Sequence, residues 1–167
     1  MRKYLGYLIL CLGILSPVAQ ADSSMFYYGV GVSDGSVDLN SGGNKSLGTI
    51  NVTTGLQLSR HLGVELELGS ASDDTNSILT DPLVSFQAVM VRLGWDWDRF
   101  GVYVVGGHAL LDIASSLNFT DSGTAFGVGL NLFGSKTTAV NIHFLQLDGG
   151  AFNTATLGFQ YYLGGFR

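Results

Sequence analysis

The sequence predicts an all-β fold: an eight-stranded antiparallel up-and-down transmembrane β-barrel. Three observations carry that expectation. Eight short segments alternate apolar and polar residues, and a strand turns such alternation into one apolar and one polar face. The connectors between these segments alternate short and long. No segment is left over to form a second layer, so once the sheet closes on itself its apolar face has only lipid to meet.

In chain order, the first element is not a strand. Arg2 and Lys3 form a positive n-region and Leu5–Leu15 an apolar h-region. Ser16-Pro17 breaks the helix, and Ala19-Gln20-Ala21 is a small-x-small cleavage site. Residues 1–21 therefore read as a cleaved signal peptide, with the barrel domain spanning residues 22–167. The apolar run is shorter than the roughly 20 residues that a membrane-spanning helix needs. Cys11 sits in mid h-region behind Leu10, which argues against a lipoprotein signal. Cleavage removes this single cysteine, so neither a disulfide nor thiolate chemistry is expected in the mature chain.

Removing Arg2 and Lys3 from eight basic residues leaves six against 13 acidic ones, a net of −7. That balance argues against a nucleic-acid partner. Hydrophobic residues make up 46% of the chain, yet no long apolar run follows the signal. Interleaved lipid-facing and lumen-facing residues give that combination.

The strands are expected near Met25–Ser33, Thr49–Ser59, Leu62–Ser70, Leu83–Trp95, Phe100–Leu111, Gly123–Phe133, Thr137–Leu147 and Asn153–Leu163. The last is the plainest. Ala155, Leu157, Phe159, Tyr161 and Leu163 share one face; Thr154, Thr156, Gly158 and Gln160 share the other. Arg60-His61, Asp96–Arg99 and Gly134–Lys136 are tight polar connectors suited to hairpin turns. Asp34–Gly48, Ala71–Pro82, Asp112–Ser122 and Asp148–Phe152 read as loops, mostly longer and rich in Ser, Asn, Asp and Gly. Phe26, Tyr28, Trp95, Trp97, Phe100, Phe133, Phe159, Tyr161 and Tyr162 lie toward the strand ends at the short-turn rim or the termini. They are expected to form an interfacial girdle there.

With the strands placed, the chain resembles the small eight-stranded outer-membrane barrels of Gram-negative bacteria: the outer membrane protein A membrane domain, outer membrane protein X, and the porin-like outer membrane protein β-barrel domain family. The matching stretches are Tyr28-Gly-Val-Gly-Val32, Gly55 through Gly69, Phe100-Gly-Val-Tyr-Val-Val-Gly-Gly107, Gly127-Val-Gly-Leu-Asn131 and the final strand. The resemblance implies short turns in the periplasm, loops outside, and outer-membrane lipids and lipopolysaccharide as surroundings. It also implies a monomer with no cofactor. Thr156, Gly158, Tyr161 and Leu163 resemble the barrel-assembly signal, which in this family implies delivery to the barrel-assembly machinery. Phe166 offers an alternative terminal aromatic for the same signal.

Parity selects the lumen residues. Glu65 and Glu67 alternate with Val64, Leu66 and Leu68, while Arg92 opposes Val91 and Leu93. These three are expected to form a lumenal charge cluster, because an unpaired charge inside a small barrel is costly. Asn51, Thr53, Gln57, Asn141, His143 and Gln160 are expected to complete a hydrogen-bonded plug. Eight strands leave an interior that side chains fill, which favours a plug over a pore, with a small-solute pore the alternative.

No catalytic residue is expected. The lipid A deacylase family carries a lipid-facing His-x-Ser pair; His143-Phe-Leu-Gln146 has Leu145 at the serine position, and His143 points inward. The segment Asp22–Met25 leaves no room for the amphipathic helix of the lipid A palmitoyltransferases. A rim arrangement around His108 and Asp112 stays open. No metal site is expected either: Asp73, Asp74 and Asp81 match no calcium-loop spacing. The reading is a barrel with a structural, envelope or surface-interaction role, a diffusion pore or lipid A-modifying enzyme being the alternatives.

Overall fold

The computed structural model describes residues 25–39, 43–73, 82–113 and 119–164. Residues 1–21, read as the signal peptide, lie outside that set. The strands are β1 (Met25–Leu39), β2 (Gly43–Gln57), β3 (Leu62–Ser72), β4 (Val84–Asp96), β5 (Phe100–Ile113), β6 (Phe119–Phe133), β7 (Thr138–Leu147) and β8 (Phe152–Leu163). Each pairs antiparallel with its sequence neighbours, and β1 closes on β8 from Phe26↔Leu163 to Val37↔Phe152. The fold is a closed eight-stranded meander barrel. Closure pairs each strand on both sides through the body of the barrel, which removes the open edge of a flat sheet there.

Three tight connections define the turn rim. Leu58 and Ser59 N–H both donate to the Leu62 carbonyl, Trp97 to Phe100, and Gly134 and Ser135 to Thr138. At the opposite rim a single 3-10 turn, Asp148–Gly150, joins β7 to β8. Gly149 (φ 64°) and Gly150 (φ 111°) occupy backbone conformations that a side chain would strain there.

The strands run further than the alternation indicates, and the connectors at the loop rim shrink accordingly. Asp34–Gly48, expected as a loop, is mostly ladder, paired from Asp34↔Gly48 to Leu39↔Gly43. Asp112–Ser122 is likewise largely strand, with β5 and β6 paired up to Ile113↔Phe119.

The reason is an inversion of the two faces partway along the strands. Near the turn rim the outer face is apolar: Tyr28, Val30 and Val32 on β1, Val89, Val91 and Leu93 on β4, and Val140 and Phe144 on β7 are exposed. Toward the loop rim the outward positions become Asp34, Gln87, His108 and Gln146. The inward positions there are Val37, Leu47, Val84, Phe86, Leu111, Leu145, Leu147 and Phe152, all buried in one apolar cluster. A strand needs only about 9–11 residues to cross the bilayer, whereas β1, β2 and β6 have 15 each. The surplus continues past the lipid as a barrel with a water-facing outside and a greasy core. The lumen is therefore not polar throughout, as the alternation of the final strand suggests. Its loop-rim half is packed hydrocarbon.

The aromatic girdle needs one correction. Tyr28, Trp95, Trp97, Phe100 and Phe159 are exposed, with Trp97 stacked on Phe100 at 4.7 Å. Tyr162, counted with them from sequence, is instead buried in the lumen beside Met25, Tyr27 and Ala139, and Phe133 packs against that cluster.

Candidate functional site

The middle of the lumen is a band of buried polar side chains between two apolar layers. β3 contributes Glu65 and Glu67, β4 Arg92, β2 Asn51 and Thr53, β6 Asn131, β7 Asn141 and His143, and β8 Thr156 and Gln160. Apart from Arg92, whose side chain is 11% exposed, all of these are buried. Strand alternation brings every one of them to the inner face.

Arg92 crosses the lumen in this band. Its Nη1 donates to Glu65 Oε2 at 3.0 Å and to Tyr27 Oη at 3.2 Å, while Tyr27 donates its own hydroxyl to the same carboxylate oxygen. The guanidinium lies 3.6 Å from the Tyr103 ring centroid and 5.1 Å from that of Tyr27. Such stacking suits the flat, weakly hydrated guanidinium better than an ammonium. Gly55 and Gly129 make room for these rings. A Cβ on Gly55 would lie 2.2 Å from Tyr27 Cζ, and one on Gly129 would lie 2.1 Å from Tyr103 Cζ.

A second network holds the amides. Asn141 Nδ2 donates to Tyr103 Oη and to Asn131 Oδ1, both at 2.7 Å. Asn131 donates to Tyr162 Oη at 2.8 Å, and Tyr162 to Gln160 Oε1 at 2.7 Å. A third surrounds Glu67. Asn51 Nδ2 donates to Glu67 Oε1 at 2.6 Å and to Thr156 Oγ1 at 3.3 Å, and His143 Nδ1 stands 3.4 Å from Glu67 Oε2. One ligand-type atom each from Glu65, Glu67 and His143 lies within 4.8 Å of the others.

The structure thus brings Glu65, Glu67, Arg92, Asn51, Asn141, His143 and Gln160 together in one band. Gln57 stands apart: it is half-buried at the turn rim and donates to the Arg60 carbonyl at 3.2 Å. Sequence reasoning missed Tyr27, Tyr103 and Tyr162. Tyr27-Tyr28 and Tyr161-Tyr162 are doublets in which one ring must face each way, and parity with Gly29 and Gln160 assigns Tyr27 and Tyr162 to the lumen.

Little free space remains in this band. The voids beside Tyr27 and Arg92, and beside Asn51 and Asn141, are about 10 Å³ each, about what a single water requires. The large opening is a cup of about 1320 Å³ at the turn rim. Arg60, Arg99 and Lys136 line it, and Met25 and Phe133 border it.

His108 and Asp112 both face outward, exposed, on β5. Four residues of strand separate them by roughly 13 Å, beyond hydrogen-bond reach. Thr156 and Gly158 of the assembly-signal pattern face the lumen, and Tyr161 and Leu163 face outward.

A closed meander barrel with an apolar outer belt, an aromatic rim and a filled interior defines a small transmembrane β-barrel protein. The chain belongs to the family described as outer membrane protein beta-barrel domain, whose model matches residues 7–162. It is thus a porin-like barrel of the Gram-negative outer membrane. Similar solved structures include Ail, the attachment invasion locus protein of Yersinia pestis, in complex with the heparin analogue sucrose octasulfate. It has a TM-score of 0.58 and 15% identity, covering 84% of this chain and 99% of that one. Neisserial surface protein A gives 0.56 at 11% identity, covering 81% and 96%. The N-terminal barrel domain of Pseudomonas aeruginosa OprF gives 0.54 at 12%, covering 82% and 97%. These three share the fold with this chain. No curated protein matches it.

Proposed function

We propose that this barrel serves the outer membrane as a closed structural element that presents its loop rim for surface interactions, rather than as a diffusion pore or an enzyme. The observation that carries this reading is the filled lumen: Arg92, clamped between Tyr27 and Tyr103, lies beneath a layer of Phe86, Met90, Leu145 and Phe152. A solute would have to displace both layers. The separation of His108 from Asp112, and the burial of His143 inside the lumen, support a non-enzymatic role.

The chain is exported by the signal peptide of residues 1–21. Its final strand is handed to the barrel-assembly machinery through Thr156, Gly158, Tyr161 and Leu163, and the product is a monomer surrounded by lipid and lipopolysaccharide. The outward wall near the loop rim carries exposed Asp34, Asp73 and Asp112, with Lys45 paired to Asp73 at 2.8 Å. That surface is poorly matched to a polysulfated ligand of the kind bound by Ail, and better matched to a neutral or cationic partner.

Deleting the gene tests the reading in cells. The expected result is greater uptake of a large hydrophobic dye through a weakened envelope, with entry of small hydrophilic solutes not slowed. Slower entry of those solutes, with dye exclusion intact, would replace the closed-barrel reading with a pore.

A further inference from the structure

We propose that the lumen holds one first-row divalent metal ion of the zinc class, bound between Glu65, Glu67 and His143. Three independent features of the buried band point to it. First, the donor set is two carboxylates and one imidazole, from β3 and from β7, with one atom of each within 4.8 Å of the others. Mixed imidazole–carboxylate sets suit zinc and its neighbours, whereas calcium asks for six to eight oxygens.

Second, two buried polar atoms of these side chains are left without hydrogen bonds, one of them the Glu67 oxygen that faces His143 Nδ1. Glu67 Oε2 and His143 Nε2 are buried and unpartnered, in residues 0% and 3% exposed. Buried polar atoms of this kind need a partner or an ion. The 3.4 Å between His143 Nδ1 and Glu67 Oε2 is long for an N–H···O bond. It is about the separation of two ligands held about 2.1 Å from a tetrahedral ion.

Third, the surroundings orient the ligands and leave a charge to compensate. Asn51 holds Glu67 by Oε1, which turns Oε2 toward His143. Arg92 and Tyr27 both hold Glu65 by Oε2, which fixes the direction of its carboxylate. Partners of this type fix the direction of metal ligands. In this band two carboxyl groups share one guanidinium, and a divalent ion would supply the counter-charge that lets both bind it ionised. Apolar layers lie above and below, so the ion enters as the barrel folds and exchanges slowly afterwards. Sequence alone did not reveal the set, because Glu67 and His143 meet only across the lumen.

The test uses chelator-treated, denatured full-length mature protein, refolded into detergent with Co²⁺ or Zn²⁺ alone and freed of loose metal. The expected result is one ion per barrel by mass spectrometry, with Co²⁺ giving visible ligand-field bands. Metal added after folding should bind at least tenfold more slowly. Glu67→Gln and His143→Gln should each lower the content below about 0.1 ion per barrel, while Asp112→Asn, on the outer wall, retains it. Heat-modifiable gel migration checks that each variant has folded. The wild-type protein gives a second readout: bound Co²⁺ should shift and broaden the ring-proton resonances of His143. A metal-free barrel after refolding, retention by both lumen variants, or an unperturbed His143 spectrum beside bound metal would overturn the proposal.

Discussion

Arg92→Ala is expected to lower the unfolding free energy of the detergent-folded barrel by about 3–5 kcal/mol, the cost of leaving a buried charge without its partner. The loss has two physical parts. Glu65, 1% exposed, keeps its carboxylate but loses the guanidinium 3.0 Å away. Tyr103 loses the cation that lies 3.6 Å from its ring, and the lumen gains a void where the side chain crossed. Adding Glu65→Gln to Arg92→Ala should recover part of the loss, because it removes the charge that the first change strands. Urea titration of the two variants, followed by tryptophan fluorescence and heat-modifiable migration, reads both effects. An unchanged midpoint for Arg92→Ala would show that the crossing band contributes nothing to stability.

Two adjacent glycines on β5 should respond in opposite ways to the same added methyl group. A Cβ on Gly107 would lie 2.0 Å from the Val89 carbonyl oxygen and 2.7 Å from Met90 Cα. Those are backbone atoms of the strand to which Gly107 is paired through Met90, so no side chain can swing aside. Gly107→Ala is therefore expected to cost about 3 kcal/mol, the upper range for overpacking. A Cβ on Gly106 meets nothing within 4 Å, because that position faces outward. Gly106→Ala should stay within about 0.5 kcal/mol of the parent. The same urea titrations compare the pair. A larger loss for Gly106→Ala than for Gly107→Ala would place β5 in the opposite register.

The barrel itself was legible because alternation, tight turns and the lack of a second layer all point one way. Leu66 between Glu65 and Glu67 can face lipid only if both carboxylates face inward. What was not legible follows from the same physics. Where Phe86 and Gln87, or Leu145 and Gln146, exchange the roles of inner and outer face, the lipid-facing pattern stops although the ladder continues. Alternation alone therefore ends the strands too soon. Alternation also assigns a side but no height. It put Gln57 with the buried band, although that residue lies at the rim and bonds to the Arg60 carbonyl. It could not show that Glu67 and His143 meet across the lumen, since barrel stagger sets that contact. The tyrosine doublets were a different loss: an aromatic near a strand end fits a girdle equally well whichever way it points.

Single-channel recording in a planar lipid bilayer shows whether the lumen is closed by its own side chains. Protein shown to be folded by its heat-modifiable migration should insert without discrete conductance steps, because the band around Arg92 and the apolar layer beyond it leave voids of only about 10 Å³. Reproducible unitary steps from the unmodified protein would show an open path through the barrel and rule out a lumen closed by its own side chains.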